Sequence, residues 1–316
     1  MEAIFQRSWI YWRLFLVHPI NQTQPHDSQK TILIIGAKGF LGRHFANHYH
    51  SLGFTVFETH HDKGTIHFNL NAPSLNDLPC YPNTYALITA GISTINRCEE
   101  DKEGTYLVNV LGTLEITRQL IEKKITPILF STDYVFDGKE QFYTEESPTA
   151  PLNEYGRQKS ILEKHLSERF PNQYLLMRLS KVFSLNFGDG TLLDEMANKL
   201  LSGEKIKAAK DQIFCPILLD DLLTATSELQ LKHARGLFNL GGSETWRRSD
   251  IAIELSKHLN TPASLIEEIS LDELDEPFLR PKCTSLSSKK IHSTLKLSFN
   301  PLSTCIKKYA NQRVGK

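Results

Sequence analysis

Residues 31–42 constrain the fold of this chain more than any other stretch. Thr31-Ile32-Leu33-Ile34-Ile35 is a short apolar, β-branched run, the pattern of a buried strand in a parallel sheet. It enters Gly36-Ala37-Lys38-Gly39-Phe40-Leu41-Gly42 directly, and a helical spacing of Phe40, Leu41, Phe45 and His48 follows. A lone glycine triplet can be only a tight loop. Strand, glycine turn and helix in this order are the context that a dinucleotide fingerprint requires. In it, Gly36 permits the tight turn, Gly39 lets backbone approach the pyrophosphate and Gly42 lets helix pack on strand. The helix N-terminus then faces the phosphates with free N–H groups. The spacing here is G-x-x-G-x-x-G rather than G-x-G-x-x-G.

Downstream, apolar strand-like runs alternate with helical patterns, which argues for βαβ units and a parallel sheet. Strands are expected at 55–59, 86–89, 126–130 and 174–178, with helices around 99–124 and 155–169. From about 184 the spacing is irregular, with helices near 190–202, 219–232, 248–259 and 301–311. The expected fold is α/β, an NAD(P)-binding Rossmann fold. Its doubly wound parallel sheet spans 31–183, and a smaller C-terminal α/β lobe at 184–316 binds substrate and partly returns to the first domain. That lobe belongs over the carboxyl ends of the strands, where open α/β sheets bind ligands.

A second motif concerns chemistry. Tyr155-Gly156-Arg157-Gln158-Lys159 places a tyrosine one helical turn ahead of a lysine, on one helix face. The lysine's charge favours the phenolate and is expected to lower the tyrosine's pKa from its reference near 10. Such a tyrosine passes a proton to or from a substrate oxygen at neutral pH. A hydroxyl at the end of the preceding strand, Thr132 or Ser131, is placed to hold that oxygen. Alone, the spacing also fits a half-buried aromatic beside a solvated lysine.

The two motifs together resemble the extended short-chain dehydrogenase/reductase family. Ser131-Thr132-Asp133-Tyr134-Val135-Phe136-Asp137-Gly138 is similar to a signature of the dTDP-4-dehydrorhamnose reductase branch, as is Pro151-Leu152-Asn153-Glu154-Tyr155-Gly156 continuing to Lys159 and Glu163. Cys98-Glu99, Asn109 to Thr113, Asp211-Gln212 with Pro216, and Arg280-Pro281 match further, so the resemblance covers about residues 31 to 310. It implies a sugar-nucleotide reductase of deoxysugar or surface-polysaccharide synthesis. Hydride goes to C4 of a nucleotide-linked keto-sugar, Tyr155 protonates the oxygen, Thr132 hydrogen-bonds it, and Lys159 binds the nicotinamide ribose. It also implies cofactor contacts from Gly36, Lys38, Gly39, Phe40, Leu41, Gly42, Ser131, Tyr155 and Lys159. Ala90 and Gly91, after Thr89, are small enough for backbone to approach the ribose, and Asn69-Leu70 falls where the family often has Asp-Leu beside the adenine.

Cofactor choice turns on the end of the second strand. An acid there accepts hydrogen bonds from the adenosine ribose of NAD, but Glu58 comes early and Asp62 late. His60, His61 and Lys63 either meet a 2′-phosphate or form a solvated loop. NADP(H) is favoured and NAD(H) stays open. On the substrate side, Lys181 replaces the tryptophan usual after Arg-x-Ser and is a candidate for an anionic sugar or phosphate, with Arg280. Asp133 either caps a turn or touches substrate.

Composition excludes several other classes. With 36 basic and 36 acidic residues the formal net charge is +0, leaving no basic stripe for nucleic acid. The 5 cysteines lack metal or C-x-x-C spacing and are expected to be buried thiols of a cytoplasmic protein. No metal is expected; His60-His61-Asp62 comes closest to a cluster. Residues 1–30 read as an atypical, poorly ordered extension. Its apolar run Ser8–Val17 is broken by Arg13 and is too short to span a bilayer. The expected partner is the nucleotide sugar, with a homodimer open. Two alternatives remain: an epimerase or dehydratase of the same fold, which usually carries an acid where Tyr134 stands, and a regulatory subunit of the kind represented by the β-subunit of methionine adenosyltransferase.

Overall fold

The computed structural model describes residues 30–60, 66–274 and 277–315. Residues 1–29 of the N-terminal extension, and His61, Asp62 and Lys63, lie outside them. Six parallel strands form the main sheet: β1 (Thr31–Ile35), β2 (Thr55–Thr59), β3 (Tyr85–Ile88), β4 (Thr126–Thr132), β5 (Leu175–Leu179) and β6 (Gly236–Leu240). Their spatial order is β6-β5-β4-β3-β1-β2. The apolar runs of β1, β3 and β5 are buried throughout, as a sheet covered on both faces demands. Alternation assigns the two faces. Ile32 and Ile34 pack with Phe45 and Tyr49 of helix α1 (Phe40–Ser51), while Leu33 and Ile35 pack with Ile116 and Leu120 of α2 (Thr113–Glu122). Strand order reverses between β1 and β3, so a crevice opens at their carboxyl ends.

The helix expected over 99–124 is broken. Short helices Ile95–Glu100 and Lys102–Tyr106 precede a π-helical turn at Leu107–Gly112, and only then does α2 begin. Asp101 ends the first piece and caps the second, accepting from Gly104 N at 2.9 Å. The wide turn is held by Thr113, whose hydroxyl donates to Val108 O at 3.0 Å, five residues back. Gly112 brings this turn against Leu70, whose carbonyl oxygen would stand 2.0 Å from any Cβ there.

Helix α3 (Glu154–Arg169) packs beside β4. Beyond Phe183 the chain builds a second apolar cluster from α4 (Leu192–Leu201), α6 (Arg248–Leu259) and α7 (Leu302–Val314), with Met196, Leu255 and Tyr309 among its members. Helix α5 (Leu219–Leu231) and β6 instead join the main-sheet core, where β6 extends the sheet by pairing with β5. The 5 cysteines are free thiols, and Cys80 departs from expectation in being only partly buried. Among the described residues no helix is long and apolar enough to cross a membrane.

Candidate active site

A cavity of about 830 Å³ lies at the carboxyl ends of β1, β3, β4 and β5, closed on one side by the second cluster. This is the size range of small-molecule and cofactor sites. One end is built by the glycine turn. Gly36 has φ 94°, and a Cβ there would stand 2.6 Å from Ala90 N. A Cβ on Gly42 would stand 2.2 Å from Gly36 O. Gly39 differs: its nearest neighbour is 3.5 Å away and its face lines the cavity. No side chain caps α1 and no acid occupies its first turn, so its N–H end is available to an anion. These residues fit a dinucleotide pyrophosphate.

Thr89 ties the next wall to this turn, its hydroxyl lying 3.0 Å from Ile35 O and 3.1 Å from Gly36 O. The loop that follows, with Ala90 and Gly91, is fixed by buried Asn109, which accepts from Ile92 N at 2.8 Å and donates to Ile92 O at 2.9 Å. Gln158 on α3 accepts from the same amide at 2.8 Å. The sequence marked Asn109 without a role; its clamp links residues that only the fold brings together.

The chemical groups come from β4 and α3. Asn153 caps α3 by accepting from Gly156 N at 2.9 Å, and Gly156 lets the helix close to Tyr134, whose carbonyl would stand 2.1 Å from a Cβ. Tyr155 is thereby held over the end of β4, its phenol facing the Thr132 hydroxyl. Lys159, one turn later, donates Nζ to Phe130 O at 2.9 Å. Ser131, the other candidate hydroxyl, is turned to Glu163, which Arg178 grips with Nη2–Oε2 at 2.6 Å. All of Thr132, Tyr155, Lys159 and Ser131 line the cavity.

The expected acidification of Tyr155 by Lys159 is overturned. Burial pushes the phenol up, Asp133 and Cys98 add to this, and the Thr132 hydrogen bond opposes it. Burial also brings the Lys159 amine down to about 8, against the pull of Glu163. Spacing places the two groups on one face, but a buried ammonium must first bear its own desolvation before it favours a phenolate. Asp133 lies beneath them, 6% exposed, with Oδ1 3.2 Å from Thr132 Oγ1 and Oδ2 3.4 Å from Ser180 Oγ. Burial pushes its carboxyl up to about 6, opposed by hydrogen bonds from Thr284, Thr132 and Ser180.

The opposite wall is cationic. Lys181 reaches the cavity from the segment after β5, Arg248 from the start of α6, and Arg280 from the C-terminal segment. The Lys181 amine is held below its ordinary range by burial and then by Arg248; Glu195 opposes, and Arg280 adds to the repulsion. Lys181 is nonetheless exposed, because atoms crowd around it while its side chain borders the open cavity. Arg280 Nη1 donates to Tyr134 Oη at 3.2 Å. Sequence reading missed Arg248, Glu195 and Thr284, which carry no local pattern.

Other sequence-derived candidates stand elsewhere. Gly36, Lys38 and Gly42 support the turn without lining this cavity, and Phe40 and Leu41 line it. His60, Asn69 and Leu70 are outside its wall. Asn69 Oδ1 accepts from Asn71 N at 2.9 Å, and Leu70 packs in the apolar core. Glu58 faces His50 on α1 at 3.5 Å. The buried Nδ1 of His60 has no hydrogen-bond partner.

A family model described as the RmlD substrate binding domain matches residues 30–314. A probable low-salt glycan biosynthesis reductase of Haloferax volcanii is 26% identical over 274 residues, covering 83% of this chain and 91% of that protein. A dTDP-4-dehydrorhamnose reductase of Sinorhizobium fredii is 26% identical over 216 residues, 65% of this chain and 72% of that one. The solved dTDP-4-dehydrorhamnose reductase of Bacillus anthracis, in complex with NADP, has the same fold: TM-score 0.78 over 90% of this chain and 99% of that chain, at 18% identity.

Proposed function

The chain belongs to the RmlD substrate binding domain family, and on that premise we propose that it is an NADP(H)-dependent reductase of a nucleotide-activated 4-keto-sugar, serving deoxysugar or polysaccharide synthesis. The observation that carries this reading is one cavity with three unlike walls: a glycine turn with a free helix N-terminus, a Thr132–Tyr155–Lys159 set, and the cations Lys181, Arg248 and Arg280. Relatives named as sugar-nucleotide reductases support it, as does the NADP complex of the Bacillus anthracis protein. Glu58, drawn to His50, leaves the end of β2 without its acid.

When bound, the reduced nicotinamide supplies the hydride. The protein supplies position and a proton. Gly39 and the N–H groups opening α1 hold the pyrophosphate, and the Lys159 ammonium, fixed by Phe130 O, holds a ribose hydroxyl. Tyr155 donates to the C4 carbonyl oxygen and gives its proton to it, with Thr132 beside the phenol. Lys181, Arg248 and Arg280 take the nucleotide diphosphate and fix the ring over the reacting groups. The dehydratase alternative loses support, because Tyr134 fills the acid's place and its hydroxyl is engaged by Arg280.

The test is NADPH consumption by purified protein given dTDP-4-dehydrorhamnose. Tyr155→Phe should lower kcat by about 10²- to 10⁴-fold while leaving NADPH affinity unchanged. An active mutant would refute the assignment of Tyr155, and wild-type protein that binds NADPH but turns nothing over would remove this sugar from the reading.

A further inference from the structure

Thr132 has one hydroxyl proton and two neighbours that compete for it. Its Oγ1 lies 3.2 Å from Asp133 Oδ1 and faces the Tyr155 phenol. The same oxygen already accepts from Tyr134 N at 3.2 Å. An ionised Asp133 can only accept. It then draws the Thr132 proton, and the Tyr155 O–H turns toward Thr132 and away from any carbonyl in the cavity. A protonated Asp133 reverses the order: Thr132 donates to the phenol oxygen and Tyr155 is free to donate outward.

Resting on the keto-reductase reading, we propose that Asp133 acts through Thr132 as the source of the proton that Tyr155 gives up. The Tyr155 O–H bond breaks as the carbonyl oxygen gains its proton. The Thr132 proton moves to the phenol oxygen, and the Asp133 proton restores Thr132. Asp133 ends as a carboxylate, and the hydride reaching carbon from a reduced nicotinamide completes the alcohol. The transfer is downhill, because burial pushes the phenol up while Asp133 sits at about 6. Ser180 Oγ, 3.4 Å from Oδ2, and Thr284 steady the carboxylate that results.

The groups facing Asp133 leave its titration distinct. Tyr134 follows it on the same turn, Tyr155 faces it from α3, Lys181 from the segment after β5, and Cys215 from the loop before Ile217. Burial pushes Tyr134 up and Cys215 to about 11, so neither changes charge near neutrality or below. The chain consists of adjacent residues on one strand end plus one helix residue, so no moving segment is needed.

The experiment is a ¹³C NMR titration of the free protein labelled at tyrosine Cζ, from about pH 4.5 to 7, below the point at which the Lys159 amine, at about 8, loses its proton, with the Tyr155 signal identified by its loss in Tyr155→Phe. The Tyr155 signal should move with a midpoint near the Asp133 value of about 6. That movement should vanish in Asp133→Asn. It should shrink at least about five-fold in Thr132→Val, which keeps the carboxylate but removes the linking hydroxyl. Movement that survives in Asp133→Asn, or that persists undiminished in Thr132→Val as a through-space field effect would, overturns the proposal. So does a wild-type signal that does not move. This readout needs neither substrate nor cofactor, so it stands apart from whether dTDP-4-dehydrorhamnose is turned over. Where turnover is seen, wild-type kcat should fall about ten-fold per pH unit above the break, and Asp133→Asn should give a flat, lower profile with KM within about two-fold. An unchanged break in that variant also overturns it.

Discussion

At the β1 end, the cavity wall is a glycine turn followed by Phe40 and Leu41; at the far end it is long charged side chains. The first leaves no room for change. A single Cβ on Gly36 or Gly42 would enter another residue's backbone. The second crowds like charges, with Lys181 kept below its ordinary range by burial and then by Arg248 and Arg280. One end is therefore shaped by sterics that the folded chain satisfies unaided. The other stores electrostatic strain that an anion relieves. Damage to the first should appear as lost stability and lost cofactor, and damage to the second as lost substrate affinity in a protein that folds as well or better.

Gly42→Ala is the harshest probe of that contrast. Its Cβ would lie 2.2 Å from Gly36 O, so α1 must retreat from β1. The expected cost is about 3 kcal/mol in chemical denaturation, with NADPH binding weakened more than about ten-fold by calorimetry. A variant with normal stability and weak NADPH binding would show that the glycines serve the ligand and not the packing.

This asymmetry also governs what could be read in advance. Gly36, Gly39 and Gly42 sit on one turn, and the strand before them announces itself by five apolar or β-branched residues, so contiguous sequence carried that end. Lys181, Arg248 and Arg280 come from separate segments, and nothing near Arg248 distinguishes it from a solvated arginine beside Arg247. Burial was the other missing quantity. The Tyr155 and Lys159 spacing was legible, but the desolvation that raises one and lowers the other was not. The π-helical turn at Leu107–Gly112 was also hidden, because the close approach of Leu70 to Gly112 joins residues far apart in the chain.

Lys181→Met probes the far end and should give effects of opposite sign. Removing one of three clustered cations relieves repulsion, so thermal stability should hold or rise slightly. The KM for the nucleotide sugar should increase about ten-fold, the scale of one lost charge-assisted hydrogen bond, while the Kd for NADPH stays put. Equal losses in both would mean that the two ends are not separable.

Whether they are separable is decided most finely at Asp189, where the lobes touch. Its carboxylate takes Arg43 Nη2 of α1 at 2.7 Å and Ser184 Oγ at 2.8 Å, with His44 Nε2 at 3.2 Å. Burial works against its ionisation, but hydrogen bonds from Ser184, Arg43 and Asn186 outweigh that and hold its pKa below the usual carboxylate value. A depressed carboxyl adds stability above its unfolded pKa of 3.8 and loses it as pH falls through the folded value, so the clasp is intact at neutral pH. Arg43 is 45% exposed, which screens the pair. Asp189→Asn should therefore cost no more than about 1 kcal/mol, a melting shift of roughly 2 °C for a chain of this size. If the clasp couples the ends, the Kd for NADPH and the KM for the nucleotide sugar should rise together by about two- to three-fold. A rise in only one would show that glycine turn and cationic wall bind their ligands independently across an intact contact.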